Sequence, residues 1–319
     1  MTEIAVSSIV SQLHEYPPAV MIIVNWNGLE DTKTCVNSAL NLSYPNRQII
    51  VVDNGSTIDE TKTLKELYKD RIHALRTEEN NGYSAGINLG IRYVLNNIPD
   101  TKYFLIANND VVFEQESLKK IIAFMETHPS IGIAASKILL MKGDVVFSVG
   151  QKWDLRTGFV RNVGYGERNK SESTEPFEID CVPGAAFIVK RKVIEKIGLF
   201  DEKYFLYFEE PDYCLRARRK GYKTYLVPES IVYHKPATSI RKVGTFAFYC
   251  FKKSKLRFII KNLESLYFPL AMAVNMMHFL LSSCAASVRR RNSLLFFYTS
   301  KAAYEALMEA KEIRSSKVY

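Results

Sequence analysis

The five cysteines (Cys35, Cys181, Cys214, Cys250 and Cys284) form no C-x-x-C pair, and no Cys/His cluster has zinc spacing. That excludes a zinc module and a disulfide framework, and predicts reduced thiols. No G-x-G-x-x-G follows the first apolar run; VNWNGL (24–29) stands there instead, which disfavours a dinucleotide-binding dehydrogenase. A Gly-rich, Arg-bearing loop able to cradle a triphosphate is also missing, which argues against a nucleotidyltransferase. The opening stretch, MTEIAVSSIVSQLHEYPP, has no basic n-region and carries Glu3, His14 and Glu15 where a signal peptide would be apolar. The expectation is a cytoplasmic chain. Neither an internal repeat nor a low-complexity linker is visible.

What is present is 319 residues, 47% of them hydrophobic, with a formal net charge of +9. Such a chain can bury a large core. The charge points to anionic company: nucleic acid, anionic lipid or phosphorylated small molecules. Short β-branched runs, VMIIVN (20–25), RQIIVVDN (47–54), RIHALR (71–76) and KYFLIAN (102–108), alternate with amphipathic stretches. This rhythm predicts an α/β fold with a mostly parallel, Rossmann-like sheet flanked by crossover helices. Ligands bind such sheets at the carboxyl ends of the strands. Asn25, Asp53, Asn54 and the run Asn108, Asn109, Asp110 should converge there.

Near residue 240 the pattern turns helical, basic and apolar. FKKSKLRFIIKN (251–262) reads as a cationic helix, and residues 266–288 run without a charge up to Arg289, Arg290 and Arg291. The length suits a membrane span, but Asn275, His278 and Ser282 make one polar stripe along the helix. The favoured reading is a helix lying in the membrane plane. Nucleic-acid binding by the run Lys252 to Arg257 is set aside, because such runs are usually solvated faces. The polar, aperiodic segment ERNKSESTEPFE (167–178) is expected to be a mobile loop.

Two groups of residues carry chemistry. Asp110 ends an apolar run, and a hard divalent cation bridging a diphosphate needs only one or two carboxylates beside the phosphates. His234, in VPESIVYHKP, is a candidate second ligand. Asp201, Glu202, Glu209, Glu210 and Asp212 are interleaved with Tyr204, Phe205, Tyr207 and Phe208. A carboxylate in such partly dry surroundings has its pKa raised, which suits a general base. A helix is predicted after Pro211, with Glu209 and Glu210 at its entrance. Gly82, Gly86 and Gly90 fit either close ligand approach or helix-to-sheet packing.

Taken together, VNWN (24–27), VVDNGSTID (51–59), ENNGYSAGINLGI (79–91), LIANND (105–110), PGAAFIVKR (183–191), IGLFDEKYFLYFEEPDYCLR (197–216) and YHKP (233–236) closely resemble the family-2 glycosyltransferases of the GT-A fold. Within that family they look most like the bacterial rhamnosyltransferase branch. The resemblance runs from about residue 18 to 240, leaving 1–17 as an extension and 241–319 as a helical, membrane-associating region. It implies inverting transfer of a sugar from a nucleotide-diphosphate donor, with rhamnose from dTDP-rhamnose favoured over a UDP-hexose. The implied acceptor is a polyprenyl-diphosphate-linked glycan at the inner face of the membrane.

By similarity, Asn25, Asp53, Asn54, Asn80, Gly82, Asn88 and Asn108 would hold the donor nucleotide. Asp110, at the family's D-x-D position, and His234 would hold Mg²⁺ or Mn²⁺. Glu210 would be the base, supported by Glu209 and Asp212. Here the motifs read Asn108-Asn109-Asp110 and Glu209-Glu210-Pro211-Asp212, so the metal would be held with less charge than usual. A catalytically silent relative that scaffolds a glycan-assembly complex is the alternative, and a homo-oligomer is compatible with the sequence.

Overall fold

The computed structural model describes residues 16–169, 174–235, 244–290 and 294–315. The apolar run at its start is buried at every position of strand β1 (Ala19–Asn25), as a strand covered on both faces must be. The other strands are β2 (Arg47–Asn54), β3 (His73–Thr77), β4 (Tyr103–Asn108), β5 (Val111–Phe113), β6 (Ile131–Leu140), β7 (Val146–Ser148), β8 (Gln151–Asp154), β9 (Phe159–Asn162), β10 (Phe177–Glu178), β11 (Ala186–Lys190) and β12 (Lys223–His234). The helices are α1 (Leu29–Leu40), α2 (Glu60–Tyr68), α3 (Tyr83–Asn97), α4 (Ser117–Thr127), α5 (Arg191–Ile197), α6 (Glu209–Arg219), α7 (Thr245–Asn262), α8 (Phe268–Arg290) and α9 (Leu294–Ser315).

The main sheet has the order β10-β12-β6-β11-β4-β1-β2-β3, with β5 added to β12 and β7 to β6; β8 and β9 form a separate hairpin. Its first half, β3-β2-β1-β4, is parallel throughout. Strand β11 then runs antiparallel between β4 and β6. The two-residue side-chain period divides β1 between two cores. Met21 and Ile23 pack toward α1 and α4, while Ile22 and Val24 pack toward α3. Added Cβ atoms at Gly86 and Gly90 would lie 2.9 Å from Val24 and 2.5 Å from Ile22, so these two glycines serve helix-to-sheet packing.

Three expectations are corrected. The third strand begins at His73 rather than residue 71, because a 3₁₀ turn occupies Lys69–Arg71. Of the segment expected to be a mobile loop, 170–173 lie outside the described residues, and Phe177 and Glu178 pair with Leu226 and Tyr225 of β12. The cationic run of α7 is not a solvated face: Lys252, Lys255 and Arg257 are only 2%, 2% and 5% exposed. Lys252 donates to the Phe279 carbonyl and to Ser283, and Arg257 pairs with Asp201 and Glu309. Burial holds Lys252 and Lys255 down to about 8. All five cysteines are free thiols.

Helices α7, α8 and α9 pack on one another through Leu256, Ile260, Phe279, Ala303 and Ala306. They join the sheet domain through a cluster of Tyr204, Phe208, Leu215, Phe258 and Ile259. The polar stripe of α8 faces inward in part: Asn275 is buried and donates to the Thr157 carbonyl, while His278 meets Phe159 edge to face. On the outside, Leu270, Met277 and Leu281 of α8 and Phe297, Tyr304 and Met308 of α9 are exposed. The stretch Phe268–Ala285 is long and apolar enough to cross a membrane by length and composition.

Candidate active site

A cavity of about 350 Å³ opens at the carboxyl ends of β1, β2 and β4. Asn25, Asn54, Asn80, Asn108, Asp110, Glu209, Glu210 and His234 all line it, so eight of the residues singled out in sequence meet in one place.

One wall is a lattice of amides. Asn25 accepts from Thr32 Oγ1 at 2.8 Å and donates to Glu60 at 2.6 Å. Asn109 donates to Asn25, to Thr32 and to the Gly28 carbonyl, tying the end of β4 to the loop after β1. Asn54 donates to Asn80 at 3.1 Å and to the Gly82 carbonyl at 2.9 Å. Each strand end is thereby held by its neighbour, a rigid platform for a bound ligand.

At the end of this wall Asp110 and His234 meet at 3.1 Å between Oδ1 and Nε2, both nearly buried. Strand β5 brings them together, since His234 pairs with Val111 across the β5–β12 ladder. His234 Nδ1 is buried and has no hydrogen-bond partner. Among the described residues no group of three or more His, Cys, Asp or Glu could enclose a metal by itself. The Asp110 carboxylate and the Nε2 of His234 that faces it fit two ligands of a divalent cation whose remaining ligands would be phosphate oxygens and water.

The facing wall comes from the loop before α6. Tyr207 and Phe208 both have left-handed backbones, φ 70° and 67°, which is costly for aromatic residues, of order 1–3 kcal/mol each. The strain is held by packing: Phe208 lies 5.5 Å from Phe258 and 5.7 Å from Phe251 of α7. This turn starts α6 at Glu209 and sets Glu209 and Glu210 in its first turn, 4% and 8% exposed. Burial pushes Glu210 up to about 7. Glu209 is raised further, by burial and then by the Glu210 charge, and its Oε2 has no partner.

Four sequence candidates do not line the cavity. Asp53 is fully buried, pairs with Arg76 and accepts from the Ser56 amide, shaping the loop after β2. Gly82 has φ +91°, and a Cβ there would lie 2.6 Å from the Phe205 carbonyl oxygen, so it lets the acidic loop lie against the start of α3. Asn88 donates to the Phe200 carbonyl and to Glu202. Asp212 is buried among Arg216, Lys261 and Asn262, which fastens α6 to α7.

The structure also brings in residues that sequence reasoning passed over. Tyr83 donates to the Gly184 carbonyl at 3.1 Å and is raised well above the usual phenol range, first by burial of its hydroxyl, then by Glu210, Glu209 and Asp110. It therefore stands among the three carboxylates. A Cβ on Gly184 would come within 1.9 Å of Glu210 Oε1, so that glycine makes room for the carboxylate. Trp26, Gln151, Asn162 and Phe251 also line the cavity. Nothing in the local sequence of α7 marks Phe251 as a site residue.

Comparison with known proteins bears on the family and the fold. The chain is 27% identical over 203 residues to the low-salt glycan biosynthesis hexosyltransferase Agl10 of Haloferax volcanii, covering 63% of this chain and 62% of that protein. It is 27% identical over 207 residues to the N-acetylglucosaminyl-diphospho-decaprenol L-rhamnosyltransferase of Mycobacterium tuberculosis, covering 60% of this chain and 67% of that protein. The match thus spans less than two thirds of the Haloferax protein's own length. Among solved structures, the mannosyltransferase PcManGT of Pyrobaculum calidifontis, in complex with GDP-Man and Mn²⁺, superposes with a TM-score of 0.56 at 13% identity, over 92% of this chain and 87% of that one. The fold is therefore of the GT-A type. With the family model for glycosyl transferase family 2 matching residues 20–198, more than half of its length, the chain belongs to glycosyl transferase family 2.

Proposed function

We propose that the protein is an inverting hexosyltransferase, carrying rhamnose from dTDP-rhamnose, or failing that a hexose from UDP, to a polyprenyl-diphosphate-linked glycan. The observation that carries the reading is a single cavity with a raised, buried Glu210 on one wall and the Asp110–His234 pair on the other. The donor and acceptor are supported by the name of the mycobacterial relative.

In this reading the ionised Glu210 carboxylate takes the proton of an acceptor hydroxyl. The oxygen attacks the anomeric carbon from the side opposite the diphosphate. As the new C–O bond forms, the bond to the diphosphate oxygen breaks and its electron pair leaves with the phosphate, so the anomeric centre inverts. Asp110 and His234 would hold Mg²⁺ or Mn²⁺, which supplies Lewis-acid stabilisation of the departing charge. The amide lattice fixes the donor platform, and the dry environment of Glu210 matches its proton affinity to an acceptor near neutral pH.

The exposed apolar faces of α8 and α9 support a protein lying on the inner face of the membrane, where a lipid-linked acceptor would be met. Vesicle flotation checks this part: Met277→Glu with Leu281→Glu should release the protein, and undiminished flotation would refute it. The donor reading is tested by thermal shift with dTDP-, UDP- and GDP-sugars, with and without Mg²⁺ or Mn²⁺. A donor at 100 times its Kd adds about 2.7 kcal/mol, a shift of several degrees. The metal-dependent part of that shift should disappear in His234→Ala, and a folded protein silent to the whole panel would refute the reading.

A further inference from the structure

We propose that Phe251 of α7, with Tyr207 and Phe205 of the loop before α6, forms the platform on which the ring of the acceptor sugar rests. The inference builds on the transfer reading above and names the contact that selects its acceptor.

A base within hydrogen-bond reach of an acceptor hydroxyl fixes where the sugar bearing that hydroxyl must lie. The surfaces next to Glu210 in the cavity are aromatic: Phe205, Tyr207, Phe208 and Phe251 all line it. Phe251 is 38% exposed, so it presents a surface to the cavity instead of being lost in the core. Its ring meets Tyr207 at 5.6 Å and 80°, an edge-to-face contact that leaves one ring face uncovered by the other. Phe205 meets Phe246 in the same way, at 5.4 Å and 79°. Aromatic faces are electron-rich, and pyranose rings offer them a patch of polarised C–H groups.

The β8–β9 hairpin adds polar side chains to the same cavity, Gln151 and Asn162. Gln151 donates to Asn162 at 3.0 Å, while its own Oε1 has no hydrogen-bond partner. Amide side chains and aromatic faces lining one cavity suit a ligand with hydroxyls on its rim and C–H groups on its faces. The left-handed backbones at Tyr207 and Phe208 aim the loop at this spot. The platform residues all follow the stretch matched by the family model, which ends at residue 198. Phe205 and Tyr207 lie within the 197–216 stretch that resembles the family, whereas Phe251 lies beyond it, so in this proposal α7 contributes part of the acceptor contact.

The experiment is saturation-transfer-difference NMR on the full chain, irradiating aromatic protons in the presence of methyl β-glycosides of N-acetylglucosamine, glucose and galactose and methyl α-rhamnoside. These probes carry no lipid tail and no phosphate, so any signal reports the sugar itself. At least one should receive saturation on its ring C–H protons in the wild type. Phe251→Leu, which keeps apolar bulk, should lose most of that signal, and Phe251→Tyr should retain it, with the donor thermal shift unchanged in both. In turnover, Phe251→Leu should raise the acceptor KM about tenfold. No saturation across the panel, or equal signals in wild type and Phe251→Leu, would overturn the platform. If the platform residues bind the glycoside and yet no nucleotide sugar shifts the melting temperature, the transfer reading falls while the sugar site stands. Turnover with an unchanged acceptor KM in Phe251→Leu has the opposite meaning.

Discussion

The two walls of the cavity are built on opposite principles. On the amide side, Asn25, Asn54, Asn80 and Asn109 are neutral and closely hydrogen-bonded to one another and to the backbone. On the acidic side, Glu209 and Glu210 share one turn of α6 with little exposure, one oxygen has no partner, and the backbone before them is strained twice. A satisfied network holds a shape and stabilises it. A buried, underpaired carboxylate does the reverse and persists because the surrounding packing over-determines it. In the proposed reading, the difference assigns binding geometry and reactivity to different elements: strand ends for the first, a strained loop and helix start for the second.

The comparison is tested most sharply at Glu210. Glu210→Gln should lower kcat by about 10²- to 10⁴-fold while the donor-induced thermal shift survives, since the amide wall proposed to hold the donor is untouched. Normal turnover in this variant would move the base to Glu209.

Gly184→Ala is the next largest. Its Cβ would displace Glu210 Oε1, the free end of a flexible side chain, so the fold should survive while kcat falls. Misplacement of a catalytic group by about 1 Å can cost on the order of 10²-fold. Unchanged kcat would show that the Glu210 position is not critical.

The pH profile follows from the same wall. A base pushed up to about 7 is active only when ionised, so kcat/KM should rise with pH through about 7. Stability has the opposite sign. Folded-state pKa values raised above the unfolded carboxylate range mean that the pair favours folding while protonated and loses that contribution as pH climbs through the raised values. Glu209→Gln should therefore melt a few degrees higher than the wild type at pH 8, and the gap should close toward pH 4. A variant that melts lower at pH 8 would show that the Glu209 charge is stabilised by its surroundings.

The parallel half of the sheet was legible because strands buried on both faces must be apolar along their length, and their carboxyl ends must turn polar where the chain meets the cavity. The strained start of α6 was legible in part: Pro211 and the two glutamates mark a helix entrance, but no residue type announces a left-handed Tyr207 and Phe208. Asp53 and Asn88 show the limit of motif reading. Their residue types suit ligand binding, yet in this fold they hold Arg76 and Phe200 in place. The run of α7 shows the same limit from the other side. Lysines read as solvated by default, and Lys252 instead finds the Phe279 carbonyl and Ser283 about one helix away.

By itself the sequence determined the α/β architecture, the polar strand ends, the carboxylate-rich turn and the helical tail, because each depends on local periodicity and on residue chemistry within a few positions. Only the tertiary structure decided which amides line the cavity and which lock the scaffold, that Tyr83 and Gly184 attend the carboxylates, and that Phe251 enters the cavity. Those outcomes depend on partners far apart in the chain, 101 residues between Tyr83 and Gly184 and 124 between Asp110 and His234, and on burial, which raises a carboxylate's pKa only once the fold has closed around it.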